Sequence, residues 1–124
     1  MKRLLPSLIL LLLTACATPP SAFSGSMFWT MMSSKRGEAR EAYIQEAITR
    51  DLITDRHIDH IRRRHILEGM TENEVRAAWG NPTRVNETVI PGRLLRTQMV
   101  YARSHGNSYV YLENGLVTAW QTSR

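Results

Sequence analysis

The feature that most constrains this chain is a change of hydrophobic period at Gly80-Asn81-Pro82. Before it, apolar residues return every three or four positions, as in Tyr43, Ile44, Ala47 and Ile48 and then Ile58 and Ile61, a spacing that predicts helices. After it they alternate, which predicts strands over 84–90, 95–103, 107–113 and 116–122. Helices followed by a run of strands predict an α+β fold, with N-terminal helices packed on one face of a three- to four-stranded antiparallel sheet. Pro91-Gly92 and Ser104-His105-Gly106 mark the first two turns. Asn114-Gly115 is the strongest turn signal, because both residues tolerate the positive φ of a two-residue hairpin. That turn sets Leu112 opposite Val117 and Val110 opposite Ala119, an apolar face for the helices to cover. It sets Tyr109 opposite Trp120 on the other face, with Tyr111, Leu116 and Thr118.

The helical half reads as two segments, 38–52 and 55–64, bent near Ile53-Thr54, or as one long helix. Thr54 is placed to cap the second segment. Thr71 and Glu74 then form T-x-x-E, a capping box, and Met70 with Val75 can form a hydrophobic staple across it. Val75, Ala78 and Trp79 share a helical face. Gly80 suits the positive-φ end of that helix, and Pro82 prevents it from resuming. The glycines and carboxylates of residues 68–85 therefore have structural jobs, and the glycine-lysine pattern of a phosphate loop is absent.

The chain opens with Lys2-Arg3 and an apolar run from Leu4 to Leu13. A resident bilayer span needs about 20 apolar residues, so this run has the shape of a secretory signal over residues 1–15. Leu13-Thr14-Ala15-Cys16 resembles the bacterial lipobox, which implies cleavage before Cys16 and acylation of that residue. Ordinary secretion is the other reading, since Ala15-Cys16-Ala17 also fits a small-x-small cleavage site. Cys16 is the single cysteine, so no intramolecular disulfide can form. Cleavage would lower the net charge from +5 to +3 by removing two of the 16 basic residues. Residues 16–37, rich in Ser, Thr, Pro and Gly, read as a lipidated tether. Met27-Phe28-Trp29 and Met31-Met32 stand out there, as a segment resting on membrane or domain, or as a docking peptide for a partner. Residues 38–65 form a helical segment, and 66–124 a compact domain.

Gly69-Met70-Thr71, Glu74-Val75 and Trp79-Gly80-Asn81-Pro82 together resemble the signature of the SmpA/OmlA (BamE-like) small outer-membrane lipoproteins. Val100-Tyr101, Tyr109-Val110-Tyr111-Leu112 and Asn114-Gly115-Leu116-Val117 are similar to the sheet of that domain. The resemblance covers about residues 66–121. It implies two helices on a three-stranded antiparallel sheet, no catalytic activity, and service to the machinery that assembles outer-membrane proteins. It also implies binding to partner lipoproteins and anionic phospholipid. Ala17 after the lipidated cysteine implies sorting to the periplasmic face of the outer membrane. The segment 38–65 is longer and more helical than the family leads one to expect, and the turn at Pro91 is shorter.

No residue set reads as catalytic, and no cofactor or metal is expected. His57, His60 and His65 do not share one helical face, and solvent-facing histidines are the default. Glu68, Glu72 and Glu74 show no mark of paired-carboxylate chemistry. Arg62, Arg63 and Arg64 read either as a solvated helix end or as a contact for anionic lipid. Tyr109, Tyr111, Leu116 and Trp120 read as a partner-binding face, because helices cover only one side of such a sheet and Tyr and Trp are enriched at interface hot spots. The alternative places the N-terminal segment over that face. The function expected is a lipid-anchored periplasmic protein-binding module that binds another envelope protein and no nucleic acid. The alternative is a small inhibitor or ligand-binding lipoprotein acting on a soluble periplasmic partner.

Overall fold

The computed structural model describes residues 18–92 and 94–122; Cys16 and the signal segment lie outside them. Four strands, β1 (Arg84–Ile90), β2 (Leu94–Arg103), β3 (Gly106–Glu113) and β4 (Leu116–Gln121), form an antiparallel meander in chain order. The helices α1 (Gly25–Ser34), α2 (Gly37–Thr49), α3 (Ile58–Arg62) and α4 (Glu72–Trp79) precede it, which makes the fold α+β. Asn114 and Gly115 take φ of 52° and 87°, as the hairpin requires. The Asn114 side chain also accepts from the Leu95 amide at 3.0 Å, while its own amide donates to the Leu95 carbonyl at 2.8 Å. The turn is thereby fastened to the start of β2.

The hairpin begins in the expected register, with Leu112 opposite Val117, but does not keep it. A bulge at Thr118 shifts the pairing, so that Val110 lies opposite Trp120, Tyr111 opposite Ala119 and Tyr109 opposite Gln121. One extra residue exchanges the two faces of a strand beyond it. Val110, Leu112 and Val117 still face the core and are at most 1% exposed. Trp120, paired with Val110, moves to the helix side, and the exposed Ala119 takes the opposite side. The expected pairs Val110–Ala119 and Tyr109–Trp120 are thus both replaced.

The tether expected over residues 16–37 is shorter than that. Residues 25–34 form α1, and Phe28, Trp29 and Met32 are buried in the main core. Phe28 packs edge-on to Trp29 at 5.1 Å and tilted to Tyr43 of α2 at 5.5 Å, beneath the Arg50 guanidinium at 4.5 Å. The aromatic and methionine residues that looked misplaced in a tether are one face of a core helix. They do not cover the tyrosine side of the sheet. Met27, 54% exposed, is on the opposite side.

The bend between α2 and α3 comes where expected but by another device. Asp51 adopts φ 61°, the Leu52 amide donates to the Ala47 carbonyl and the Asp51 amide to the Ile48 carbonyl, both at 2.9 Å. That is the Schellman closure, with Asp in the position glycine usually holds. Thr54 precedes the 3-10 turn Asp55–His57, yet its side chain does not cap it and reaches instead to Glu74 Oε2 at 3.4 Å. The capping box at Thr71 and Glu74 is present in both directions, at 3.2 and 2.9 Å. α4 is the central helix, in contact with α1 and α3, and Val75, Ala77 and Ala78 are all buried. Small alanines on two sides let neighbours approach it closely.

If α1 is core rather than tether, Phe28→Ala costs about 3–5 kcal/mol, the range for truncating a buried aromatic. Urea denaturation checks this, and a tether residue would leave the midpoint unchanged.

Candidate functional site

The sheet face opposite the helices carries the first candidate. Tyr109 and Tyr111, two residues apart on β3, stack with ring centroids 6.3 Å apart and planes at 22°. Polar side chains run outward from them. Gln98 Nε2 donates to the Tyr111 hydroxyl at 3.5 Å, Asn86 Nδ2 to Gln98 Oε1 at 2.9 Å, and Asn107 Nδ2 to the Tyr109 hydroxyl at 3.4 Å. Arg96 pairs with Glu113 at 3.4 Å on the same face. Val100, opposite Tyr109, is 1% exposed yet stands apart from the main core cluster. Strand alternation places it on the tyrosine side, so the rings have a small apolar floor. Leu116, opposite Glu113 and 49% exposed, belongs to this face.

Trp120 does not. The bulge sends it to the helix side, where it borders a groove of about 470 Å³ with Trp79, His65, Ile66 and Leu67. Of the four residues expected to form one aromatic face, the structure keeps Tyr109, Tyr111 and Leu116 together and separates Trp120 from them. A two-residue turn predicts strict alternation, and nothing in the local sequence announces the extra residue.

β1 frames the open face on one side. It pairs only with β2 and is exposed along almost its whole length, with Val89 at 72% and Val85 at 37%. β4 is partly protected on its outer edge. The Gly69 amide donates to the Val117 carbonyl and the Val117 amide to the Met70 carbonyl, and Thr71 bridges Leu116. The free edge therefore lies at β1.

The run Arg62-Arg63-Arg64 is not one surface. Arg62 clamps Glu41 through Nε at 3.0 Å and Nη2 at 2.7 Å, and also reaches Asp59. Arg63 is exposed. Arg64, at φ 60°, turns back and donates to the carbonyls of Ser33 and Lys35, satisfying the end of α1. The residue that sequence reasoning missed is Arg40. It is 5% exposed and donates to the carbonyls of Ile61, Arg62 and Ala77 at 3.0, 3.4 and 2.8 Å. A signal was available, since Arg40, Tyr43, Ile44 and Ala47 follow helical spacing and lie on one apolar face.

The histidines also divide. His57 is not solvent-facing: it is buried, with Nδ1 3.1 Å from Glu74 Oε1. Glu74 thus serves its own helix cap, His57 and Thr54 at once. His60 is half-buried and His65 exposed. Among the described residues no group of three or more His, Cys, Asp or Glu side chains could hold a metal ion, and no helix is long and apolar enough to cross a membrane.

Glu74→Ala should lower stability by about 2 kcal/mol or more, because it removes a cap and strands buried donors. Chemical denaturation measures this, and Glu74→Gln should recover most of the loss. Acid provides a second check. The hydrogen bonds from Arg62 hold the Glu41 carboxyl below its ordinary value of 4.5. The stability this contributes is full above that value and is lost as pH falls through the lower, folded one. Glu41→Gln should therefore remove a small part of the acid limb of a stability-against-pH curve.

Comparison with family models, with characterised proteins and with solved structures finds no match to this chain. The likeness to the SmpA/OmlA group rests on the motif residues quoted above, whose roles here are to cap, close and seat α4.

Proposed function

We propose that this chain is a lipid-anchored periplasmic protein-binding module of the outer membrane that supports envelope or outer-membrane protein assembly and performs no catalysis. The observation that carries the reading is the uncovered sheet face, where two stacked tyrosines of β3 sit over a small apolar floor, on a sheet whose β1 edge is free. Among the described residues all helices lie on the other side, so this side meets solvent or a partner. Tyrosines combine large contact area with few rotatable bonds, and an unpaired edge can accept an extended segment of another protein. The occupant we favour is therefore a segment of an envelope protein that adds as a strand beside β1, with the chain that follows it crossing the face of β2 to the tyrosines of β3.

Anchoring at Cys16 supports this reading. Only residues 17–24 separate that cysteine from α1. Fully extended they reach about 28 Å, so the domain would work close to the bilayer. The several acyl chains expected there would hold it stably, which one chain alone would not.

Crosslinking in intact cells, read by mass spectrometry, tests the proposal. The native protein should capture barrel-assembly components, and Cys16→Ala should lose them. Tyr109→Ser combined with Tyr111→Ser should also lose them, with stability changed by no more than about 1 kcal/mol for residues outside the main core. Soluble partners that persist in Cys16→Ala would instead favour an inhibitor or ligand-binding lipoprotein.

A further inference from the structure

The start of α2 and the end of α3 meet at an open cavity of about 500 Å³, lined by Arg36, Arg40, Arg62 and Arg64 together with Glu38 and Glu41. Small-ligand sites span roughly 300–1,000 Å³. Its charge is the first pointer to a ligand. Four guanidinium groups and two carboxylates line it; Arg62 is held by Glu41 and, from outside the lining, by Asp59, which leaves Arg36, Arg40 and Arg64 without an ion-pair partner among the described residues.

Arg40 is the second pointer. Its guanidinium donates to three carbonyls, but no carboxylate lies within ion-pair distance of it among the described residues, and its Nε–H has no acceptor. Burial, and next the charge of Arg64, push it down to about 10, so it stays charged at neutral pH. A buried, unneutralised cation favours any anion that settles beside it.

The backbone is the third. The 13-residue α2 begins at this cavity, and the residue in its cap position is Arg36, whose side chain has no acceptor. The first-turn amides are left uncapped at the positive end of the helix dipole.

We propose that this cavity binds the phosphate group of a phosphomonoester, with Arg36 and Arg62 at its mouth, Arg40 behind and the amides of α2 completing the shell. A phosphomonoester carries a charge of about −1.5 to −2 at neutral pH and three terminal oxygens, so it can accept from several guanidinium groups and backbone amides at once. A carboxylate offers only two oxygens and a single charge to the same donors. The site lies in the helical layer and does not depend on the role of the tyrosine face.

The test uses the full chain in detergent, titrated at constant ionic strength with sodium phosphate and with glycerol 3-phosphate, and read by thermal unfolding. Co-sedimentation with phosphatidylcholine vesicles, with and without phosphatidic acid, is run in parallel. A saturable rise in Tm is expected from a ligand that binds only the folded state. Arg36→Gln and Arg62→Gln, both at exposed positions, should each weaken binding at least tenfold. Arg63→Gln, which removes the same charge outside the cavity, should leave it unchanged. A response to sodium phosphate or glycerol 3-phosphate identifies a soluble phosphate group as sufficient. A response confined to phosphatidic acid vesicles, with the same dependence on Arg36, identifies a lipid headgroup, and either supports the site. No saturable binding in any arm, or equal weakening by Arg63→Gln, overturns it.

Discussion

Arg40 reaches from α2 to the carbonyls of Ile61 and Arg62 at the end of α3 and to that of Ala77 within α4. Three helices that share little sequence regularity are thereby held by one planar group. The bonds to Arg62 and Ala77 reach carbonyls in the last turns of α3 and α4, where intrahelical partners run out, and the bond to Ile61 joins one from the Arg64 amide at 3.0 Å. A hydrophobic side chain in the same place would fill the volume but remove these donors, leaving the Ala77 carbonyl without the 2.8 Å bond it accepts here. The arrangement has a cost, because a guanidinium without a counterion is taken out of water. It also accounts for the electropositive cavity, since the same group that joins the helices forms its inner wall.

A second junction connects this helical layer to the sheet. Gly80 ends α4 at φ 86°, and a β-carbon there would meet Ser33 of α1 at 3.1 Å. Its carbonyl accepts from the buried Tyr101 hydroxyl of β2 at 2.8 Å. Asn81 then donates to the Ser26 carbonyl at 2.7 Å and to the Thr30 hydroxyl at 3.0 Å, tying the turn to α1. Trp79 stacks edge-on with Tyr101 at 5.3 Å and donates to the Arg64 carbonyl at 2.9 Å. Four consecutive residues, Trp79 to Pro82, thus lie where α1, α3, α4 and the sheet converge. Their compact spacing reflects crowding at that junction.

The two candidate surfaces differ in how they arise. The tyrosine face is what remains when every helix among the described residues falls on one side of a sheet, and its polar side chains already bond to one another across three strands. The arginine cavity is built from residues far apart in sequence, at two helix ends that meet only after folding. One suits a broad, adaptable contact, the other a compact anion.

Local order was legible in the chain because it depends on neighbours. The strands, the Asn114-Gly115 hairpin, the Thr71–Glu74 cap and the stop at Gly80-Pro82 follow from φ preference, side-chain period and the nearest polar groups. Tyr109 and Tyr111 could be placed on one face because two residues of a strand separate them. Tertiary structure decided what local pattern leaves open. Phe28, Trp29 and Met32 looked like tether because the surrounding serines and glycines favour loops, yet burying their apolar area against Tyr43 outweighs that preference. Trp120 changed faces because one extra residue at Thr118 reverses alternation. His57 and Arg40 became interior because Glu74 and three helix carbonyls, supplied from distant segments, pair with all of their buried donors but one, the Arg40 Nε–H. A polar side chain can be buried only where such partners converge, and that convergence exists only in the folded chain.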